Sequence, residues 1–212
     1  MMTHKGREFK GIMGGANYKR LASFFGIGTK FYQKALGDID LGPGMKAVDL
    51  GCGPGALSFA LAERAHESAV IIGTDISNDQ LDYAGRHAGR FQCRLEFKKT
   101  SMDGLPFPDG YFDLAMTSMA LHETPPEVRR GAVREAARVL KPGGRFLLTD
   151  WSRPQSLFLT MLWFPMVFLG EKNRDNWDNV YPNLCRESGL DLMQDGYISS
   201  IARRQVFVKK TV

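Results

Sequence analysis

Val48-Asp49-Leu50-Gly51-Cys52-Gly53-Pro54-Gly55 separates two segments of different period. Before it stands a short apolar run ending at an acid, MKAVDL (45–50); after it ALSFALAERA (56–65) carries apolar residues at helical spacing. A strand, a glycine turn and a helix in that order open a parallel α/β sheet, whose ligands sit beyond the carboxyl ends of the strands near the switch point. Gly51 and Gly53 let the backbone turn tightly and let a ligand approach it closely. The alternative is a ligand-free turn, and three glycines in five residues at this place argue against it.

Moving outward, the same alternation continues. AVIIGTD (69–75) is apolar and β-branched, as a buried parallel strand should be. SNDQLDYAGRHAGR (77–90) reads as a helix with Ser77 as its N-cap. CRLEFKK (93–99) alternates and suits an edge-side strand, GLPFPDG (104–110) is a loop, and YFDLAMTS (111–118) is a strand. PPEVRRGAVREAARVL (125–140) predicts a helix with proline in its first turn, KPGG (141–144) a stop, and RFLLTD (145–150) a strand. NWDNVYPNLCRESG (176–189) predicts a helix, followed by strands near 191–199 and 202–209. This order predicts an α/β, doubly wound, mainly parallel sheet in one domain spanning 1–212. Residues 1–40 form an N-terminal helical arm, 45–150 the core, 151–175 an insertion, and 176–212 a C-terminal helix and strand pair. The arm and the insertion are the candidates for covering a ligand.

A length of 212 residues fits one such domain, and 43% hydrophobic with 24% charged residues excludes collagen-like, disordered and disulfide-scaffold classes. Cys52, Cys93 and Cys185 are scattered and form no CxxC pair, so no metal site is expected. The N-terminus lacks an apolar h-region, so a reducing cytoplasm is the expected compartment. Charge is uneven. Lys5, Arg7, Lys10, Lys19, Arg20, Lys30 and Lys34 are opposed within residues 1–36 by Glu8 alone, a net +6, against +5 for the whole chain. Such an arm is drawn to anionic lipid, nucleic acid or an acidic substrate; a solvated helix face is the plainer reading, since the charges are spread.

The loop formally satisfies GxGxxG/A through Gly51, Gly53 and Ala56, the dinucleotide fingerprint. Two features oppose an NAD(P)-dependent oxidoreductase. Gly55 comes one place early, and Asp49 stands where a dinucleotide fold has a buried apolar residue. A carboxylate there repels pyrophosphate and suits a ligand with an ammonium group. S-adenosylmethionine carries an ammonium and a sulfonium. Asp75 ends the second strand, where an acid bonds ribose hydroxyls; the alternative is an acid stabilised by the dipole at the start of the next helix.

The motifs VDLGCGPG (48–55), GTDIS (73–77), LPFPDGYFDLAMTSMALHE (105–123) and REAARVLKPGGRFLLTD (134–150) together resemble the class I S-adenosylmethionine-dependent methyltransferases of the broad type 11 group. That group methylates quinones, phospholipids and other small molecules. The resemblance covers residues 45–150 and implies a Rossmann-like seven-stranded sheet with an antiparallel last strand. It implies that Asp49 and the loop of Gly51, Cys52, Gly53 and Gly55 hold the methionine part, Asp75 the ribose, and that Ile76 lies against adenine. Where the family often has Gly-Asp-Ala, this chain has Ser101-Met102-Asp103; the adenine role then falls to Ser101 and Met102, with Asp103 as a substitute acid or a loop cap.

Ser118 and Met119, after the fourth strand, are implied to contact the cofactor near the transferred methyl. His122 orients the cofactor, acts as a general base or caps the next turn; transfer requires a base only where the acceptor must lose a proton. Tyr18 is implied to cover the cofactor, with an ordinary core or surface tyrosine as the alternative. No Asn-Pro-Pro-Tyr or Pro-Cys motif occurs, so no nucleic-acid partner is expected. LFLTMLWFPMVFL (157–169) is almost wholly apolar, yet too short to span a bilayer. A lid over an acceptor pocket, a membrane or homodimer contact, and plain core compete. The expected function is methyl transfer from S-adenosylmethionine, leaving S-adenosylhomocysteine, to a small apolar or lipid-like acceptor. The alternative is a regulatory protein that binds this cofactor without transfer.

Overall fold

A computed structural model describes residues 2–3, 5–7, 27–168 and 174–211. Two short strands, β1 (Met2–Thr3) and β2 (Gly6–Arg7), pair with each other. Helix α1 (Thr29–Leu36) precedes the main sheet. The sheet comprises β3 (Lys46–Leu50), β4 (Val70–Asp75), β5 (Arg94–Lys99), β6 (Phe112–Ser118), β7 (Leu140–Trp151), β8 (Leu190–Tyr197) and β9 (Ala202–Lys209) in the spatial order β5-β4-β3-β6-β7-β9-β8. The pairs from β5 through β7 are parallel; β9 lies antiparallel between β7 and β8. The expected doubly wound sheet with an antiparallel last strand is what forms.

The chain leaves β3 toward β4 and β5, then crosses to β6 on the other side of β3, which makes the carboxyl ends of β3 and β6 the switch point. Helices α2 (Ala56–Ala62) and α3 (Asn78–Ala88) follow β3 and β4; α4 (Pro126–Val139) follows β6. Side chains alternate along each strand, so one face takes Val48, Ala115, Phe146 and Leu148 against Val128, Ala132 and Ala136 of α4. The other takes Ala47, Ile71, Leu114 and Leu147 against Ala35 and Leu36 of α1 and Leu57 and Leu61 of α2. Burial on both faces is why the central strands read as continuous apolar runs.

The REAARVL segment has a second task. Arg138 donates to the carbonyls of Phe107 (2.8 Å) and Leu105 (3.0 Å), and Glu135 accepts the Leu105 N–H at 2.6 Å. Glu135 and Arg138 also pair with each other. This clamp holds the 105–109 loop on α4.

Two boundaries differ from expectation. KPGG does not separate helix from strand: Phe112 pairs with Leu140 and Leu114 with Arg145, so 141–144 are absorbed as a bulge within β7. The helix expected over 176–189 is broken into α6 (Arg174–Trp177) and α7 (Tyr181–Glu187). Asn179 at φ 50° turns the chain between them, and Pro182 lacks the N–H a continuing helix would use. The insertion forms helix α5 (Leu157–Phe168). Among the described residues no helix is long and apolar enough to cross a membrane.

Candidate functional site

A cleft opens at the switch point. At its floor, Gly51 has φ +70° and its N–H reaches the Thr74 carbonyl at 2.8 Å; Cys52 donates to the same oxygen at 2.9 Å. A Cβ on Gly51 would stand 2.8 Å from both Ala120 Cβ and Met102 Cε, so the two walls close on the glycine itself. Gly53, at φ +52°, is the opposite case: a Cβ there meets nothing within 4 Å. Gly51 is required by packing, whereas Gly53 faces open space. Cys52 is buried and lines the cleft; Gly55, the residue before α2, packs toward Phe59 and Phe97 instead.

Asp75 ends β4 with its carboxylate at the cleft. Oδ2 accepts the Gly53 N–H at 2.9 Å and Oδ1 the Ser77 N–H at 2.8 Å. It thereby fixes the glycine loop from the cleft side. Ser77 makes no hydroxyl cap to α3. Ile76, Ser101 and Met102 line the same wall.

Asp103 turns away from the cleft. It accepts hydrogen bonds from Ser101 Oγ and, at 2.5 Å, from Lys5 Nζ. Burial would raise its pKa, but these two donors outweigh that and hold it below the ordinary range. Lys5 and Gly6 line the cleft, and Gly6 lies against the Glu123 carbonyl and Thr124. The β1–β2 pair therefore straps one wall to the other.

Asp49 lies behind the loop and does not line the cleft. It is 1% exposed and accepts the Ser58 hydroxyl at 2.6 Å. Burial pushes its pKa up to about 7; the Ser58 hydrogen bond opposes this, and the Asp75 charge adds to it. Its influence on a ligand is that of a charge beneath the loop, not of a direct contact.

Ser118 and Met119 form the far wall. Ser118 Oγ is buried with no hydrogen-bond partner among the described residues. Met119 has φ 53°, a conformation that costs a non-glycine residue about 1–3 kcal/mol, and its N–H is held by the Thr149 carbonyl at 2.8 Å. His122 stands one turn further on, outside the lining. Its Nδ1 is 2.6 Å from Asp150 Oδ1, and its Nε2 is 3.5 Å from Glu123 Oε1. Burial alone would lower its pKa; the two carboxylates outweigh that and push it to about 10. Both ring nitrogens therefore carry hydrogen at neutral pH. Tyr18 lies outside the described residues.

Sequence reasoning missed Lys5, Tyr32, Thr100 and Glu123 as cleft residues. None of these four carries a local signal; Asp150, which lies outside the lining and holds His122, has one, as an acid at the carboxyl end of a strand. The unpaired Ser118 hydroxyl, the empty space over Gly53 and the Asp75 carboxylate fit a nucleoside whose hydroxyls donate and whose tail is cationic. Among the described residues no cluster of His, Cys, Asp and Glu could hold a metal ion.

Residues 47–144 match the family described as a methyltransferase domain. An uncharacterized methyltransferase of Synechocystis is 34% identical over 66% of this chain and 62% of its own length. A 2-phytyl-1,4-naphtoquinone methyltransferase of Synechococcus elongatus is 36% identical over 64% of this chain and 55% of its own. The chain thus spans under two thirds of the length of these relatives. Among solved structures, an S-adenosylmethionine-dependent methyltransferase from Methanosarcina mazei has the same fold, with a TM-score of 0.68 at 20% identity over 79% of this chain and 93% of that one. Residues 47–144 thus carry the matched methyltransferase domain, in a chain whose overall fold is that of the Methanosarcina mazei structure.

Proposed function

We propose that the cleft binds S-adenosylmethionine and that the protein transfers its methyl group to a small, apolar acceptor of the quinol type. The observation that carries the reading is Asp75, a carboxylate that anchors the Gly53 N–H while lining the cleft. In this reading its carboxylate takes the ribose hydroxyls and Ile76 lies against the base. Ser101 and Met102 serve the adenine edge, since Asp103 is engaged with Lys5. The backbone of Gly51, Cys52 and Gly53 cradles the methionine part, with Asp49 supplying negative charge from behind. Ser118 and Met119 flank the reacting end.

When bound, the cofactor supplies the methyl and the leaving sulfur, S-adenosylhomocysteine being the product. The chain's own work is alignment, and position alone can account for much of the rate in such a displacement. His122, charged at neutral pH, does not take a proton from the acceptor. It is a positioning residue that joins the Asp150 strand end to Glu123 on the cleft wall. The apolar acceptor is supported by the naphtoquinone methyltransferase relative and by the apolar helix α5. A reducing compartment suits three free, buried thiols.

Calorimetry with S-adenosylmethionine, S-adenosylhomocysteine and NADH comes first, followed by mass spectrometry of a 2-alkyl-1,4-naphthoquinol incubated with protein and cofactor. The expected result is binding of the first two ligands and gain of one methyl by the naphthoquinol. Cofactor binding without transfer to any acceptor in a wider panel favours a regulatory protein. Absence of binding overturns the reading.

A further inference from the structure

Helix α5 presents Leu157 (73% exposed), Phe158 (74%), Met161 (69%) and Leu162 (61%) to solvent. Spaced i, i+1, i+4 and i+5, they share one helix face. The opposite side is fastened: Thr160 is buried and donates to the Pro154 carbonyl at 3.0 Å. Elsewhere among the described residues, large exposed hydrophobics are confined to Leu192 and Met193 of β8. Single apolar residues on a surface are ordinary, but a contiguous set on one helix marks an interaction surface. The plain-core alternative therefore fails for Leu157, Phe158, Met161 and Leu162.

The surroundings identify the partner. Arg153, exposed and lying over the Trp177 ring at 5.6 Å, precedes the helix; Arg174, also exposed, follows it. The Ser152 N–H bonds the Ile201 carbonyl and the Gln155 N–H that of Ser200, so α5 leaves from the carboxyl edge of the sheet, where the cleft also opens. Lys5 reaches that same edge through its bond to Asp103. An apolar face bordered by cations complements hydrocarbon beneath anionic headgroups. A second copy packed on this face would bring like charges together. Twelve residues rise about 18 Å against the roughly 30 Å of a bilayer core, so the helix lies along the interface and does not span it.

We propose that the Leu157–Phe158–Met161–Leu162 face of α5 is a peripheral binding surface for an anionic lipid bilayer, with Arg153 and Arg174 on the headgroups. The surface stands independently of methyl transfer; only its use, delivery of a bilayer-dissolved acceptor to the cleft, rests on that reading.

Flotation of the full chain with vesicles of phosphatidylcholine, with and without phosphatidylglycerol, tests it. The expected result is flotation with the anionic vesicles, diminished by high salt. A Phe158→Asp/Met161→Asp variant should lose it at least about tenfold while keeping its melting temperature and its calorimetric Kd for S-adenosylmethionine. No flotation with phosphatidylglycerol vesicles, or undiminished flotation of the variant, overturns the proposal. So does light scattering that finds a dimer which the variant converts to a monomer, since the face would then be covered by a second copy. Kd for the cofactor is read separately, so failure of the surface is distinguishable from failure of the cleft.

Discussion

Asp150, next to last in β7, accepts three hydrogen bonds: His122 Nδ1 at 2.6 Å, the His122 N–H at 3.2 Å and the Trp151 N–H at 2.8 Å. The pair stitches the turn after β6 to the end of β7, two strands adjacent in the sheet. It therefore fixes the wall on which Met119 and Glu123 stand.

The pair has a pH signature. His122 has a folded pKa of about 10, above its ordinary 6.5, so the stability it contributes is complete below pH 6.5 and is lost as pH rises toward 10. Asp150→Asn should cost about 3–5 kcal/mol near neutrality by removing one partner of a buried pair. Urea denaturation at pH 6 and at pH 10 should show the gap between wild type and variant narrowing at the higher value. An equal gap at both would contradict the assignment.

Gly51 and Gly53 should fail in different ways. Gly51→Ala places a Cβ against Ala120 and Met102 in a left-handed backbone and should cost about 1–3 kcal/mol in thermal unfolding. Gly53→Ala meets no neighbour, so backbone strain is its only penalty in the free protein. Its larger effect should be on S-adenosylmethionine affinity, measured by calorimetry. Equal melting losses with unchanged affinity for both would refute the division.

Asp49 has the same sign of pH dependence as His122, in a more acid window. Its raised carboxyl pKa means that stability present at acid pH is lost as pH rises from 3.8 to about 7. Asp49→Asn should flatten that part of the stability curve and leave the free protein at least as stable as wild type at pH 8. Because a cationic ligand favours the ionised carboxyl, wild-type affinity for S-adenosylmethionine should rise between pH 6 and 8 more than that of the variant. Parallel calorimetric curves would rule out a charge role for Asp49.

Arg138→Ala should cost about 1–3 kcal/mol by stripping donors from the Leu105 and Phe107 carbonyls and leaving Glu135 without its cation. Hydrogen exchange should show faster opening of 105–109, with the β7–β9 ladder unaffected. Unaltered exchange in that loop would mean that α4 holds it by apolar packing alone.

What the chain order reveals and what it conceals follow from range. The glycine turn, Asp75 and the parallel strands are local in sequence and periodic, so their spacing is enough to read them. Asp150 is joined to His122 only because β6 and β7 are neighbours, and Lys5 meets Asp103 across 98 positions. Neither contact has a periodicity to announce it. Asp49 reads as a ligand contact by its place near the loop, yet Ser58, nine positions on in α2, captures it first. KPGG carries the composition of a turn, but the pairing of Leu140 with Phe112 draws it into a strand. In LFLTMLWFPMVFL every residue but Thr160 is apolar, so no pattern could tell which face meets water; packing decides that.

The two borders of the sheet are both unsuited to growth. β5 carries Arg94, Glu96, Lys98 and Lys99 along its outer ladder, and β8 shifts register between Leu192 and Gln194, which pushes Met193 outward. Charge on one rim and a kink on the other deny an incoming chain a straight template. Among the described residues the main sheet thus offers crowded copies no straight backbone edge, and clustering through its side chains is of the kind that salt and detergent can reverse.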